Sequence, residues 1–135
     1  MAFLIDTNIA IHARDGTEQV LDRLAEHDGA VLLSALSLAE LQRGLFRDPA
    51  TTALRRQRLA ILLEAIPVIP FDATAAEAYG EIIAHCGWVR GRDYDRMIAA
   101  HALSTGCTLV TDNEADFTDI PGLTLVNWVR PAATG

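Results

Sequence analysis

The chain has 135 residues, half of them hydrophobic, with a formal net charge of -7 and a pI near 4.9. That length suits one domain with a hydrophobic core of its own. The acidic balance excludes non-specific nucleic-acid binding through a globally basic surface, although not through a local basic rim.

A mean hydropathy of +0.19 is apolar for a small chain and predicts a surface buried against a partner or a second copy. Asp6 and Asp15 interrupt any apolar core of a signal peptide. No apolar run approaches the ~20 residues that span a membrane, and Glu64 breaks the best candidate, Leu59 to Phe71. Cys86 and Cys107 lack CxxC spacing and read as reduced thiols of a cytoplasmic protein. The basic residues are all arginine; there is no lysine.

In chain order, Phe3-Leu4-Ile5 reads as a short buried strand running into Asp6-Thr7-Asn8. Ile9 to Ala13 and Glu18 to Glu26 read as helices, the second with Val20, Leu21 and Leu24 on one face. Gly29 stops it, and Ala30 to Leu33 is a second strand. Ser37 to Phe46 is helical, with Leu38, Leu41 and Leu45 at helical spacing, and Thr52 to Ile66 is a further helix. Pro67-Val68-Ile69-Pro70 is a strand that its prolines push to a sheet edge. Asp72 caps a helix over Ala73 to His85, Gly87 to Arg92 is a loop carrying Trp88, and a helix over Asp95 to Thr105 ends at Gly106. Strands over Thr108 to Thr111 and Leu123 to Val126 follow, and Pro131 to Gly135 is a loose tail. Strands alternating with helices predict an α/β fold, a central parallel sheet flanked by helices in three layers.

The acids recur where strands end or helices begin. Asp6 reads equally as a helix N-cap or as a ligand at the strand's C-terminal end, where open parallel sheets bind ligands. Ser37-Leu38-Ala39-Glu40 has the form of a capping box; Glu40 then either closes on the Ser37 amide or faces the same end of the sheet as Asp6. Asp93 and Asp95 are each an N-cap or first-turn acid, and Asp95 heads the apolar face directly. Asp112, Asn113, Glu114 and Asp116 follow a strand, as a surface loop or as a repeat of the Asp6 geometry. If these ends meet, the carboxylates repel one another unless something neutralises them. With hard oxygen donors and little histidine that something is Mg²⁺ or Mn²⁺, ions suited to phosphodiester hydrolysis. His12, His27, His85 and His101 have no zinc-site spacing, and no P-loop, GxGxxG or GxSxG motif is present.

Four pieces in order resemble the PIN-domain ribonucleases, and within them the VapC-type toxins of toxin–antitoxin pairs. They are Phe3 to Asn8, Ser37 to Gly44, Asp95 to Leu103, and Leu109 to Phe117, the last followed by Ile120-Pro121-Gly122-Leu123 and Asn127-Trp128. The resemblance spans nearly the whole chain. It implies a PIN fold (Rossmann-like without a dinucleotide site) and an endoribonuclease dependent on Mg²⁺ or Mn²⁺. It places the family's first three acids on Asp6, Glu40 and Asp95. The fourth falls on Asp116, with Asp112 in reserve, because the family's usual acid after the strand is here Asn113. Asp6, Asp95 and Asp116 would hold metal, with Glu40 completing the shell or orienting water. Thr7, Asn8 and Thr111 would support them, and Arg43, Arg47 or Arg96 would meet RNA phosphates. The Arg55-Arg56-Arg58 cluster reads as a solvated helix face. The resemblance also implies a homodimer and a VapB-type antitoxin that blocks the site, with no specific DNA binding by this chain alone.

Two phosphoryl-transfer rivals that use strand-end aspartates, dehalogenase-like phosphatases and receiver domains, rely on a lysine this chain lacks. The non-enzyme rival is a PIN-like scaffold that binds RNA or a partner without cutting, favoured by Asn113 and disfavoured by Asp6, Glu40 and Asp95.

Overall fold

A computed structural model describes residues 1–129; the loose tail expected over 131–135 lies outside them. Five strands form one parallel sheet: β1 (Phe3–Ile5), β2 (Val31–Ser34), β3 (Val68–Ile69), β4 (Thr108–Val110) and β5 (Leu125–Val126). Their order is β3-β2-β1-β4-β5, so β1 is central. The helices are α1 (Thr7–Arg14), α2 (Glu18–Glu26), α3 (Ala35–Gly44), α4 (Thr52–Ala65), α5 (Ala73–Cys86) and α6 (Asp93–Thr105).

The sheet is covered on both faces, and so its strands read as continuous apolar runs rather than as alternation. Alternate side chains of each strand still point to opposite faces. Phe3, Ile5, Val31, Leu33 and Val110 join Ile9, Val20, Leu41, Leu45, Leu59 and Leu62 of α1–α4 in one core. Leu4 and Leu109 join Ile82, Ile98, Ala99 and Ala102 of α5 and α6 in the other. The alanines of α6 let that helix sit close on the sheet. The predicted three-layer α/β architecture is therefore the observed one.

The edge position of β3 between its prolines is borne out, with Leu33 registered on Val68. Asp72 caps α5 by accepting from the Ala75 N–H at 2.9 Å. Gly106 ends α6 at φ 69°, a left-handed conformation that glycine adopts without a Cβ penalty. One element start differs in a way that matters. Ser37 is not a helix cap: α3 begins at Ala35, and the capping residue is Ser34, whose Oγ accepts from the Leu36 N–H at 3.1 Å. The chain turns from β2 into α3 without a loop, so Ser37 lies inside the first turn and is fully buried. The capping-box spacing of Ser37 and Glu40 is coincidental.

The strand order places a topological switch point between β1 and β4. The chain leaves β1 toward β2 on one side and returns to β4 on the other. The crevice beyond the carboxyl ends of such strands is where open α/β sheets bind ligands. Asp6 follows β1 and Thr111 follows β4 at that crevice.

Candidate active site

Asp6 caps α1 and stands at the C-terminal end of β1. Its backbone N–H donates to the Val110 carbonyl at 3.0 Å, carrying the β1–β4 pairing one residue further. Its carboxylate caps α1, accepting from the Ile9 N–H at 2.9 Å. The residue is 7% exposed. Burial pushes its carboxyl up to about 6, and the charges of Asp112 and Asp95 push the same way, against hydrogen bonds from Thr111 and Ile9.

Glu40 reaches the same place from α3. Thr7, the residue after Asp6, donates its hydroxyl to Glu40 Oε1 at 2.6 Å and shares a 3.1 Å hydrogen bond with buried Ser37. Ser37 thus braces the Thr7–Glu40 contact from within α3. Asp95 comes from the first turn of α6. Burial raises its carboxyl above the ordinary range; the charges of Asp116 and Glu40 add to this, and Arg92 and Arg96 partly offset it.

Asp6, Thr7, Asn8, Glu40 and Asp95 line one cavity of about 380 Å³ with Arg43 and Arg47. Two further arginines line it that sequence reading passed over. Arg14 of α1 is buried and makes a two-pronged pair with Asp15, at 2.9 and 3.2 Å. Arg55 of α4 donates to the Gly44 carbonyl at 3.1 Å, so it belongs to the cavity rather than to the solvated face expected for its cluster. The cavity is therefore acidic on one wall and basic on another. The only sequence signal for Arg14 was its place one helix beyond Asp6; for Arg55 there was none.

The loop after β4 contributes from beside the cavity. Thr111 hydrogen-bonds the Asp6 carboxylate and accepts from the Asn113 N–H at 3.0 Å. Asn113 in turn donates its side-chain amide to Asp116, whose other oxygen lies 3.5 Å from Arg92 Nη2. Both candidates for a fourth acid thus act on acids of the cavity, each on a different one. Asp112 acts on Asp6 and lies 3.5 Å from His12 Nε2, while Asp116 acts on Asp95. Neither lines the cavity. Arg96, expected to meet RNA phosphates, is instead 1% exposed, pairs with Asp119 at 3.1 and 2.8 Å and does not line the cavity. A residue next to Asp95 in a helix is rotated about 100° from it, so the two cannot share a target.

The PIN domain profile matches residues 3–123. This chain belongs to the PIN-domain family, among its VapC-type ribonucleases. It is 33% identical to Ribonuclease VapC2 of Rickettsia felis, over 95% of this chain and 98% of that one. It is 31% identical to the tRNA(fMet)-specific endonuclease VapC of Shigella flexneri, with the same coverage. Its structure matches the crystal structure of VapBC2 from Rickettsia felis bound to a DNA fragment from their promoter, with a TM-score of 0.84, 30% identity and coverage of 95% and 99%.

The donor set fits a hard divalent cation in its chemistry. The converging donors are oxygens, Asp6 and Asp95 are held ionisable where burial penalises their charge, and among the described residues no arginine pairs with Asp6, Glu40 or Asp95. The side chains do not yet converge as a cage. Among the described residues no three acids, histidines or cysteines lie close enough to grip an ion. Each is held by a neighbour instead: Asp6 by the α1 amide, Glu40 by Thr7, and Asp116 by Asn113.

Proposed function

We propose that this chain is the toxin of a toxin–antitoxin pair, an endoribonuclease that hydrolyses RNA phosphodiester bonds with Mg²⁺ or Mn²⁺ bound among its acids. The observation that carries this reading is the cavity itself. Three carboxylates from β1–α1, α3 and α6 line it, and two of them have their negative charge disfavoured by burial with no ion-pair partner among the described residues. Structural carboxylates are normally paired or solvated; raised ones in a cleft mark a site awaiting a ligand.

Asp6 and Asp95, with Asp116 beside them, would hold the ion. When bound, the ion would lower the pKa of a water so that hydroxide is available to attack phosphorus, and would supply a charge to stabilise the departing oxygen. Glu40, fixed by Thr7, orients that water. Thr111 keeps Asp6 in place, and Asn8 sits at the cavity's edge. Arg43 and Arg47, joined by Arg55, hold the flanking phosphates and so offset the chain's net charge where RNA enters, while Arg14 stays paired with Asp15.

The partner in this reading is a VapB-type antitoxin. An apolar groove of about 280 Å³ between α2 and α4, lined by Leu21, Leu24, Ile61 and Leu62, offers such a chain a seat. Ile61 is 61% exposed in the free chain. A homodimer accounts for further apolar surface. No helix among the described residues is long and apolar enough to cross a membrane, and a cytoplasmic RNA target is consistent with that.

The test is RNA cleavage by purified protein with Mg²⁺ or Mn²⁺, with EDTA, and for Asp6→Asn and Asp95→Asn. Initiator tRNA is the first substrate to try, given the Shigella relative. Cleavage that needs metal and is lost in both variants is expected. Cleavage that persists in both would remove these acids from the site. The second reading, a scaffold that binds without cutting, draws on the unconverged side chains; failure of the wild type to cut any cellular RNA with either metal would favour it.

A further inference from the structure

The loop between α5 and α6 carries a feature that the acidic cavity does not use. Trp88 is 61% exposed, Tyr94 44% and Val89 38%, and Arg90 and Arg92 stand among them. The indole is not loose: its Nε1 donates to Asp93 Oδ1 at 2.8 Å, and the Tyr79 hydroxyl donates to the same oxygen at 3.2 Å. The loop is itself closed, with the Arg92 N–H on the Val89 carbonyl at 3.1 Å, and it turns through Gly87 and Gly91 at φ 80° and 84°. The polar end of the tryptophan is thus satisfied while most of the side chain stays in water. Arg92 then connects this loop to the candidate active site, through its 3.5 Å contact with Asp116.

The geometry points to a stacking platform for an unpaired base of single-stranded RNA, formed by Trp88 on the loop that also carries Arg90 and Arg92. This deepens the proposed function and rests on its reading that RNA enters the cavity. Protein–RNA sites that take unpaired strands combine exposed aromatic faces with arginines that meet the backbone. A fixed, exposed indole on a loop that also carries Arg90 and Arg92 has that form. RNA is the occupant because the loop adjoins the site where, on that function, RNA enters: Arg92 lies 3.5 Å from Asp116.

The experiment uses the intrinsic fluorescence of the full chain in EDTA, where no metal-dependent cutting intervenes. Trp128 is buried and Trp88 exposed, so a signal present in wild type and absent in Trp88→Phe belongs to Trp88. Single-stranded RNA is expected to quench it, whereas heparin, a polyanion without bases, is expected not to. Loss of one base–aromatic stack weakens binding by roughly tenfold, so Trp88→Ala is expected to bind single-stranded RNA about tenfold more weakly and Trp88→Phe to retain most of the affinity. Equal quenching by heparin, or unchanged RNA affinity in Trp88→Ala, overturns the platform. So does a Trp88→Ala chain that turns from dimer to monomer in light scattering with its RNA affinity intact, since this surface is then a subunit contact. Failure of the nuclease reading shows separately, as a wild type that binds and quenches but cuts no RNA with Mg²⁺ or Mn²⁺.

Discussion

Asp95 and Arg96 are neighbours on α6 with opposite fates. Arg96 is buried, but Asp119 meets it with two hydrogen bonds, and each partner favours the other's charge: the Asp119 carboxyl is held low and the Arg96 guanidinium high. Asp95 is partly buried, no cation among the described residues forms an ion pair with it, and its carboxyl is pushed up by burial despite the charges of Arg92 and Arg96. The helix turns one charge toward a partner and the next toward an open cavity. The first arrangement stabilises the fold. The second destabilises it unless a ligand arrives, and this asymmetry is the physical signature of a site.

The comparison breaks hardest at Asp119. Asp119→Ala leaves Arg96 buried without its counter-charge, and Arg96 Nε already lacks a hydrogen-bond partner among the described residues. Breaking a buried pair from one side costs about 3–5 kcal/mol. Asp119 is itself half exposed, so a loss of about 3 kcal/mol is expected in urea unfolding. A loss under 1 kcal/mol would show that the pair does not hold α6 in place.

Removing the uncompensated charge has the opposite sign. Asp6 titrates at 3.8 unfolded and about 6 folded. Between those values the folded chain keeps a proton that the unfolded chain has lost, so its contribution to stability falls as pH rises from 4 to 6. The full penalty, at most about 3 kcal/mol, is present at pH 7 and absent below pH 4. Asp95 acts in the same direction, whereas Asp15 and Asp119, held low by arginines, lose their stabilisation as pH falls. Asn can keep the cap on α1 without the charge. Asp6→Asn is therefore expected to be more stable than wild type at pH 7 in EDTA and no more stable at pH 4. An equal difference at both pH values would assign it to packing instead.

The parts of this arrangement that the sequence displays are those set by local chemistry. Phe3-Leu4-Ile5 before Asp6 shows a buried strand ending in an acid, and Gly106 and Asp72 show where helices stop and start. The same locality misleads at Ser37, where cap-like spacing falls inside a helix because β2 passes into α3 without a loop. It misleads at Arg96 because adjacency in sequence is not adjacency on a helix face. Arg14 and Arg55 were illegible for another reason: they meet across a cavity whose walls come from α1 and α4, and no short-range pattern encodes that packing.

Between the paired and unpaired charges lies Thr7, which holds Glu40 through one 2.6 Å hydrogen bond. Thr7→Val keeps the shape and deletes the donor. Groups that orient an active-site carboxylate typically contribute about 10–100-fold to activity. Cleavage is expected to fall within that range, and stability by about 1–3 kcal/mol, because Thr7 is also the hydrogen-bond partner of fully buried Ser37. Retained cleavage would mean that Glu40 swings away from Thr7 to act, making the observed contact a resting one.

The smallest expected effect is at Asn113, and two variants separate its parts. Its amide donates to Asp116, which an aspartate side chain at that position could not do when ionised. Asn113→Ala removes the orientation without adding charge; Asn113→Asp removes it and sets a like charge against Asp116. Asn113 is exposed, so water screens that repulsion and the stability change without metal is expected to stay under about 1 kcal/mol. The two should diverge on adding Mn²⁺. An extra carboxylate beside the acids strengthens attraction for a cation, so the rise in melting temperature should be larger for Asn113→Asp than for wild type, and no larger for Asn113→Ala. Identical rises in all three chains would place Asn113 and Asp116 outside the reach of the ion. The cation would then be left to the three acids that line the cavity, Asp6, Glu40 and Asp95.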